Sequence, residues 1–281
     1  MTANAPWPGQ WVADRLGVAL HGDGLHDLLG LALRRNPKRA HLLVSDVLGK
    51  HVPQSPRVVY GHGYDLGRRV RDLLGEQAAG ALVLGYAETA TGLGHAVADG
   101  LGAVPYLHST RREVPGVTPG GGFQEEHSHA TGHLLLPEDP ALLTAPGPLV
   151  LVDDEFSTGR TVLNTIRDLH GRTPRDHYVI VALTDLRSAA DRAHLDDFAA
   201  DLGVRIDLVA LATGTVTLPA DVLTRGRALV DAHDTPAAPL PLAPSATPTR
   251  VDLGWPAHLP DGGRHGFLPP HRALLDATLP T

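Results

Sequence analysis

Apolar positions along the chain fall into short continuous runs and into longer stretches of helical spacing, and the two kinds alternate. Leu42–Asp46 is a short apolar run closed by Gly49 and Pro53, and it predicts a strand. From Tyr64 to Leu74 the positions Leu66, Val70, Leu73 and Leu74 recur at helical spacing, with Arg68, Arg69 and Arg71 elsewhere on the helix as an expected solvated face. Ala81–Tyr86 predicts a buried strand, Leu93–Leu101 a helix and Val104–Leu107 another strand. The stretch Ser109–Gly122 has neither period and is rich in Gly and Pro, so a long functional loop is expected there. Beyond it, Leu149–Asp154, Tyr178–Thr184 and Ile206–Ala212 predict strands, and Val162–Leu169, Ala189–Leu202 and Ala220–Val230 predict helices. Strands separated by helices of this length are βαβ units, which predicts an α/β fold with a mostly parallel sheet flanked by helices.

After Asp231 the pattern changes. TPAAPLPLAPSATPT has proline at almost every third or fourth position, the composition of an extended linker. The expected organisation is a domain over residues 1–232, a Pro-rich linker over 233–250 and a C-terminal extension over 251–281. The extension carries Trp255, Phe267 and a short helical pattern, too little for its own core, so it either packs back or begins an appended module.

Composition narrows the classes. The chain has 281 residues, 42% of them hydrophobic, enough to build a sizeable core. It has no cysteine, which removes disulfide scaffolds, thiolate metal sites and cysteine nucleophiles. A net charge of -7 offers no basic footprint, so no nucleic-acid partner is expected. The first residues, MTANAPWPGQW, lack a basic region followed by an apolar one, and no later stretch could span a bilayer; a cytoplasmic protein without a membrane partner is expected. The only lysines are Lys38 and Lys50.

The strongest chemical signal is the run from Leu149 to Thr161, LVLVDDEFSTGRT: an apolar strand, two acids at its end, a hydroxyl-rich turn and then a helix. Such a turn suits a phosphate. The N–H groups at the helix start and the hydroxyls of Ser157, Thr158 and Thr161 donate toward an anion, and Gly159 lets the backbone approach it. Asp153 and Asp154 would repel that anion unless a hydroxyl-bearing group such as a ribose lies between, with a magnesium ion nearby. The plainer alternative is a strand ending in solvated acids, with Ser157 or Thr158 as an ordinary helix cap.

This run resembles the signature of the type I phosphoribosyltransferases: four apolar residues, two acids, two usually aliphatic residues, then a hydroxyl–hydroxyl–glycine–any–hydroxyl turn. Residues 149–154 and 157–161 fit, whereas Glu155 and Phe156 depart from the aliphatic pair. The resemblance implies that Asp153 and Asp154 hold the ribose hydroxyls of phosphoribosyl pyrophosphate, with Mg2+ held there directly or through those hydroxyls. It implies that Ser157, Thr158, Gly159, Arg160 and Thr161 hold the 5-phosphate. A pyrophosphate loop is expected after an earlier strand, and YAETATGLG, with Glu88, Thr89, Ala90, Thr91 and Gly92, sits in that place. Glu88 does not suit an anion and would meet magnesium or orient the loop; a plain βα turn is the alternative. A closing loop is expected over Ser109–His133, where Arg111 and Arg112 would neutralise the leaving pyrophosphate and Glu125, Glu126, His127 and His129 would serve proton transfer or base contacts. His127, His129 and His133 also permit a metal-site reading, and a solvated histidine-rich loop is the third.

More of the chain is similar to one subgroup, the orotate phosphoribosyltransferase-like proteins of tellurite-resistance-type gene clusters. The similar pieces are RNPKR at 35–39, LVSDVLGKHVP at 43–53 and EEHSHAT at 125–131, with DGGRHGF at 261–267 a weaker match to an appended domain. Lys50 and His51 are thereby candidates for a phosphate or base contact, or simply solvated. The resemblance implies a Mg2+-dependent transferase joining C1 of phosphoribosyl pyrophosphate to a nitrogen of a nucleobase-like acceptor, acting as a homodimer. The alternatives are a non-catalytic sensor of the same ligand on the same fold, and a metal-dependent hydrolase built on the histidines.

Overall fold

The structure, a computed structural model, describes residues 7–124, 132–233, 250–259 and 269–279. Contacts divide the chain into two units, Met1–Val230 and Asp231–Thr281. The first opens with α1 (Gln10–Leu16), β1 (Ala19–His21), α2 (Leu25–Leu28), β2 (Leu29–Leu33) and β3 (His41–Ser45). It continues with α3 (Pro56–Leu74), β4 (Leu82–Gly85), α4 (Thr91–Leu101), β5 (Tyr106–Thr110), β6 (Gly121–Gln124), β7 (Gly132–Leu135) and α5 (Ala141–Thr144). Then follow β8 (Leu149–Phe156), α6 (Arg160–Arg172), β9 (His177–Asp185), α7 (Ala189–Leu202), β10 (Arg205–Thr213), β11 (Thr215–Thr217) and α8 (Val222–His233), which runs on into the second unit. In the second unit, α9 (Pro269–Thr278) forms.

The main sheet has seven strands in the order β10-β9-β8-β4-β5-β7-β6. The five from β10 to β5 run parallel, and β7 and β6 add an antiparallel margin. This is the α/β fold with a mostly parallel, helix-flanked sheet that the alternation of patterns predicts. All nine residues of β9 are buried, as are the first four of β8, the expected state of parallel strands covered on both faces. One large apolar core surrounds the sheet, and a smaller one gathers Val12, Leu16, Val18, Leu31, Ala40 and Val222 beneath the N-terminal elements. Those elements pair outside the main sheet, β1 with β11 and β2 with β3, both antiparallel. Among the described residues, no helix is long and apolar enough to cross a membrane.

Several elements differ from their sequence expectation. Helix α3 begins at Pro56, eight residues before Tyr64, behind Ser55 and with proline in its first turn, where no N–H is needed. Its early turns hide the apolar period because they contact α4 through glycine rather than through leucine. A Cβ on Gly63 would run into Ala96 Cβ, and further along the same contact one on Gly67 would run into the Val97 carbonyl and one on Gly100 into the Tyr64 carbonyl. The expected long loop over Ser109–Gly122 is shorter, because β5 runs through Thr110 and β6 starts at Gly121. Arg69 is exposed, yet its guanidinium donates to the Ala210 carbonyl of β10 at 2.8 Å, so the arginine face of α3 is not only solvated. Strand β8 continues two residues past Asp154, carrying Glu155 and the buried Phe156.

The α3–α4 contact yields a stability test. Gly100→Ala should lower the unfolding free energy by about 1–3 kcal/mol through overpacking at the Tyr64 carbonyl. Urea unfolding measures it, and a midpoint equal to wild type would mean that the helices separate at no cost.

Candidate functional site

The parallel strands end on one side, and three of those ends are neighbours: β8, β4 and β5. The chain turns back between β4 and β8, because it proceeds from β4 to β5 on one side and returns with β8 on the other. That is the topological switch point at which open parallel sheets bind ligands. Val152 is level with Gly85, and Gly85 with His108, so Asp153, Tyr86 and Ser109 follow in a row across the three strands.

Asp153 and Asp154 sit at this end of β8, partly covered. The Asp154 backbone N–H donates to Asp153 Oδ1 at 2.9 Å. Burial first, and then the neighbouring Asp154 carboxylate, push the Asp153 carboxyl well above the ordinary carboxylate range. Glu155 is raised as well, by burial and by Asp154, while the Arg39 guanidinium pulls it back. Arg39 belongs to the RNPKR segment between β2 and β3, so the N-terminal elements bring a cation toward the acid run.

The turn from Ser157 to Gly159 leads into α6. The helix cap is Gly159, at φ 76°, without a side-chain capping bond. Ser157 and Thr158 are exposed and do not cap the helix, contrary to the plainer sequence alternative. Their hydroxyls and the first-turn N–H groups of α6 therefore face outward with donor capacity to spare. Gly159 is required twice over: its backbone is left-handed, and a Cβ would meet Phe156 Cζ at 2.8 Å. Phe156 is 2% exposed and so fills space beneath the turn rather than lining an acceptor pocket. The Arg187 guanidinium lies 4.9 Å from its ring centroid and is itself gripped by Asp185, through Nε at 2.9 Å and Nη2 at 3.0 Å. This footing of Phe156, Arg187 and Asp185 was missed in the sequence; its only trace is the acid–apolar–arginine spacing just before the Ser188 cap of α7.

After β4 the chain makes a tight turn. Ala90 N–H donates to the Tyr86 carbonyl at 2.9 Å, and α4 follows behind Ala90. Thr91 Oγ1 donates to the Glu88 carbonyl at 3.2 Å, and the Tyr106 hydroxyl donates to the Thr91 carbonyl. Lys50 reaches across from the N-terminal part, its Nζ donating to Thr89 Oγ1 at 2.7 Å. That contact joins two sequence candidates 39 residues apart, and it shows Lys50 to be more than a solvated chain. His51 is exposed, and so is Gly92, with open space where a Cβ would stand.

Arg111 and Arg112 come directly after β5, which places them beside the β4 turn. Glu125, Glu126, His127 and His129 lie outside the described residues. His133 is not part of a closing loop: it is 2% exposed, in β7, with Nδ1 2.9 Å from Ser109 Oγ. Among the described residues, no three His, Asp or Glu side chains are grouped to hold a metal. The donors on offer are the two carboxylates of Asp153 and Asp154. That number fits Mg2+, which keeps several waters and is bound through one or two carboxylates together with substrate oxygens.

A parallel sheet that gathers an acid pair and two hydroxyl- and glycine-bearing turns at one switch point has the donors and acceptors that suit a phosphorylated, hydroxyl-rich ligand. The chain belongs to the phosphoribosyl transferase family, whose profile matches residues 28–215, and is thus an enzyme of phosphoribosyltransferase type. No curated protein matches the chain. Similar solved structures include APRTase from Giardia lamblia complexed with 9-deazaadenine, at 17% identity and TM-score 0.46, covering 66% of this chain and 94% of that one. Adenine phosphoribosyl transferase from Trypanosoma brucei, in complex with AMP, pyrophosphate and ribose-5-phosphate, matches at 13% identity and TM-score 0.42, covering 74% of this chain and 81% of that one. The enzyme from Rhodothermus marinus matches at 16% identity and TM-score 0.43, covering 70% of this chain and 98% of that one.

Two outcomes follow from the geometry. Because the raised Asp153 carboxyl is costly when ionised, its burden on stability is absent in acid and grows as pH rises from the unfolded value through the folded one. Asp153→Asn should therefore be more stable than wild type in denaturant at about pH 7, with the gap closing toward about pH 4; a gap that does not narrow in acid would contradict the burial argument. Phe156→Ala, which opens a void under the turn, should cost about 3–5 kcal/mol in the same assay.

Proposed function

We propose that this phosphoribosyltransferase uses phosphoribosyl pyrophosphate and transfers its ribose 5-phosphate to a nitrogen of a nucleobase-like acceptor, with Mg2+ as cofactor. The observation that carries the reading is the convergence of the acid pair of β8, the open 157–161 turn and the Lys50-braced 87–92 turn at neighbouring strand ends. Each suits one part of that substrate. The 157–161 turn offers hydroxyls and helix N–H groups to the 5-phosphate, with Arg160 adding positive charge. Asp153 and Asp154 accept hydrogen bonds from the ribose hydroxyls and stabilise the positive charge that grows on the ring as the glycosidic bond loosens. Residues Thr89–Gly92 and Lys50 hold the diphosphate, Glu88 meets the magnesium ion or orients the loop, and Arg111 and Arg112 meet the diphosphate's charge as it leaves.

Asp153 and Asp154, or the ribose hydroxyls they hold, would carry the Mg2+ ion, which supplies neutralising charge to the diphosphate oxygens. In the reaction the acceptor nitrogen forms a bond to C1 while the bond from C1 to the diphosphate oxygen breaks, and the electron pair leaves with pyrophosphate. The protein's share is positional and electrostatic: it aligns the three parts and holds charge where it develops. A proton lost by the acceptor falls to Glu125, Glu126, His127 or His129 in this reading. Glu155, with the Arg39 guanidinium acting on it, stands where the family signature has an aliphatic residue, and an acid there favours an acceptor that donates hydrogen bonds. We further propose the affiliation with the tellurite-resistance-cluster subgroup, on the segments at 35–39, 43–53 and 125–131, a cytoplasmic location, a homodimer, and a domain boundary near residue 232 ahead of a Pro-rich linker.

Calorimetric titration of phosphoribosyl pyrophosphate with Mg2+ into wild type and into the Asp153→Asn/Asp154→Asn variant tests the site. Binding to wild type with a loss of about 100-fold or more in the variant is expected, followed by pyrophosphate release that depends on the base in a panel of purines and pyrimidines. Equal binding by both proteins would overturn the assignment of the acids, and no binding to wild type would overturn the substrate.

A further inference from the structure

We propose that Ser109 and His133, a buried pair outside the substrate-holding groups, position the 87–92 turn: neutral His133 in its Nε2–H tautomer accepts a hydrogen bond from the Ser109 hydroxyl, which aims a Ser109 lone pair at the Ala87 N–H. This rests on the reading that the turn holds the diphosphate. Ser109 is fully buried and His133 is 2% exposed. Ala87 N–H donates to Ser109 Oγ at 2.9 Å, and the same oxygen lies 2.9 Å from His133 Nδ1. A serine hydroxyl has one proton and two lone pairs. One lone pair is taken by Ala87, and among the described residues the one other polar group that hydrogen-bonds the hydroxyl is His133 Nδ1. Were Nδ1 protonated, it too would donate to Oγ, and the serine proton would be buried without an acceptor, at the cost of a lost hydrogen bond. The arrangement that gives the serine proton an acceptor has Nδ1 bare, which puts the imidazole proton on Nε2.

The ring is held in the plane this requires. Phe123 stacks on the imidazole at 4.7 Å between centroids and 15° between planes, and Tyr86, the residue before Ala87, packs edge-on against Phe123 at 5.4 Å. The pair thus ties β7 through β5 to the first residue beyond β4, where the turn begins. It complements the Lys50–Thr89 bond on the other side of the turn. The Lys50 contact is exposed, whereas the Ser109 contact is enclosed. Neither Ser109 nor His133 touches the reacting atoms in this account, so both act through the backbone of the turn.

The test uses the full chain. Nitrogen-15 NMR of wild type with labelled histidine should show His133 with a pyridine-type Nδ1 and a pyrrole-type Nε2; a pyrrole-type Nδ1 or an imidazolium overturns the proposal. Ser109→Ala should raise the KM for phosphoribosyl pyrophosphate and weaken inorganic pyrophosphate binding about tenfold, with kcat and the KM for the acceptor within about twofold of wild type. His133→Asn, whose side-chain oxygen can replace Nδ1 as the acceptor, should restore most of that affinity, and His133→Leu should not. Wild type that binds pyrophosphate beside a Ser109→Ala variant that binds it equally well overturns the positioning role alone. Wild type that fails to bind pyrophosphate overturns the reading of the turn itself.

Discussion

Two carboxylates side by side at the end of a buried strand repel each other and lose hydration, and the rest of the site depends on the fold holding them there. Strand β8 does so because its first four residues are buried between β4 and β9, anchoring the acids by apolar contact that is indifferent to their charge. The upward displacement of the Asp153 carboxyl shows the cost in the free protein. Stored strain of this kind is a mark of sites whose ligand relieves it. In the proposed function, a hydroxyl-rich ligand donating to both acids, with a divalent cation near, would offset that cost.

The turn that follows the acids has its own dependence. Its left-handed glycine lies against the ring of Phe156, which the Arg187–Asp185 fork packs against in turn. An aliphatic residue would leave the arginine without a face to lie on. The departure at Phe156 is therefore explained by packing, whereas that at Glu155 is a matter of charge, since Arg39 acts on it from the N-terminal elements. Adjacent positions that both break the family pattern do so for unrelated reasons.

The sheet was legible because buried parallel strands read as unbroken apolar runs: β4, β8 and β9 each stand out against their helices. The acid pair and the Ser157–Thr161 turn were legible for the same reason, since they follow directly on such a run. The N-terminal elements over residues 7–33 escaped notice, because β1 has only three residues and α2 only four. Helix α3 was cut short because glycines stand where its neighbour crosses. His133 read as one of a loop's histidines, and only its pairing with Ser109, 24 residues away, makes it a buried structural group.

The sequence by itself determined the alternation of strand and helix, the place of the Ser157–Thr161 turn and the identity of the acids, because these depend on neighbours along the chain. Tertiary structure decided which distant residues meet, Lys50 with Thr89, Arg187 with Phe156, and Ser109 with Ala87 and His133, and it brought the charge of Arg39 to bear on Glu155. Local pattern encodes which way a side chain faces. It does not encode strand order, and it is the order β8-β4-β5 that sets these groups at one edge.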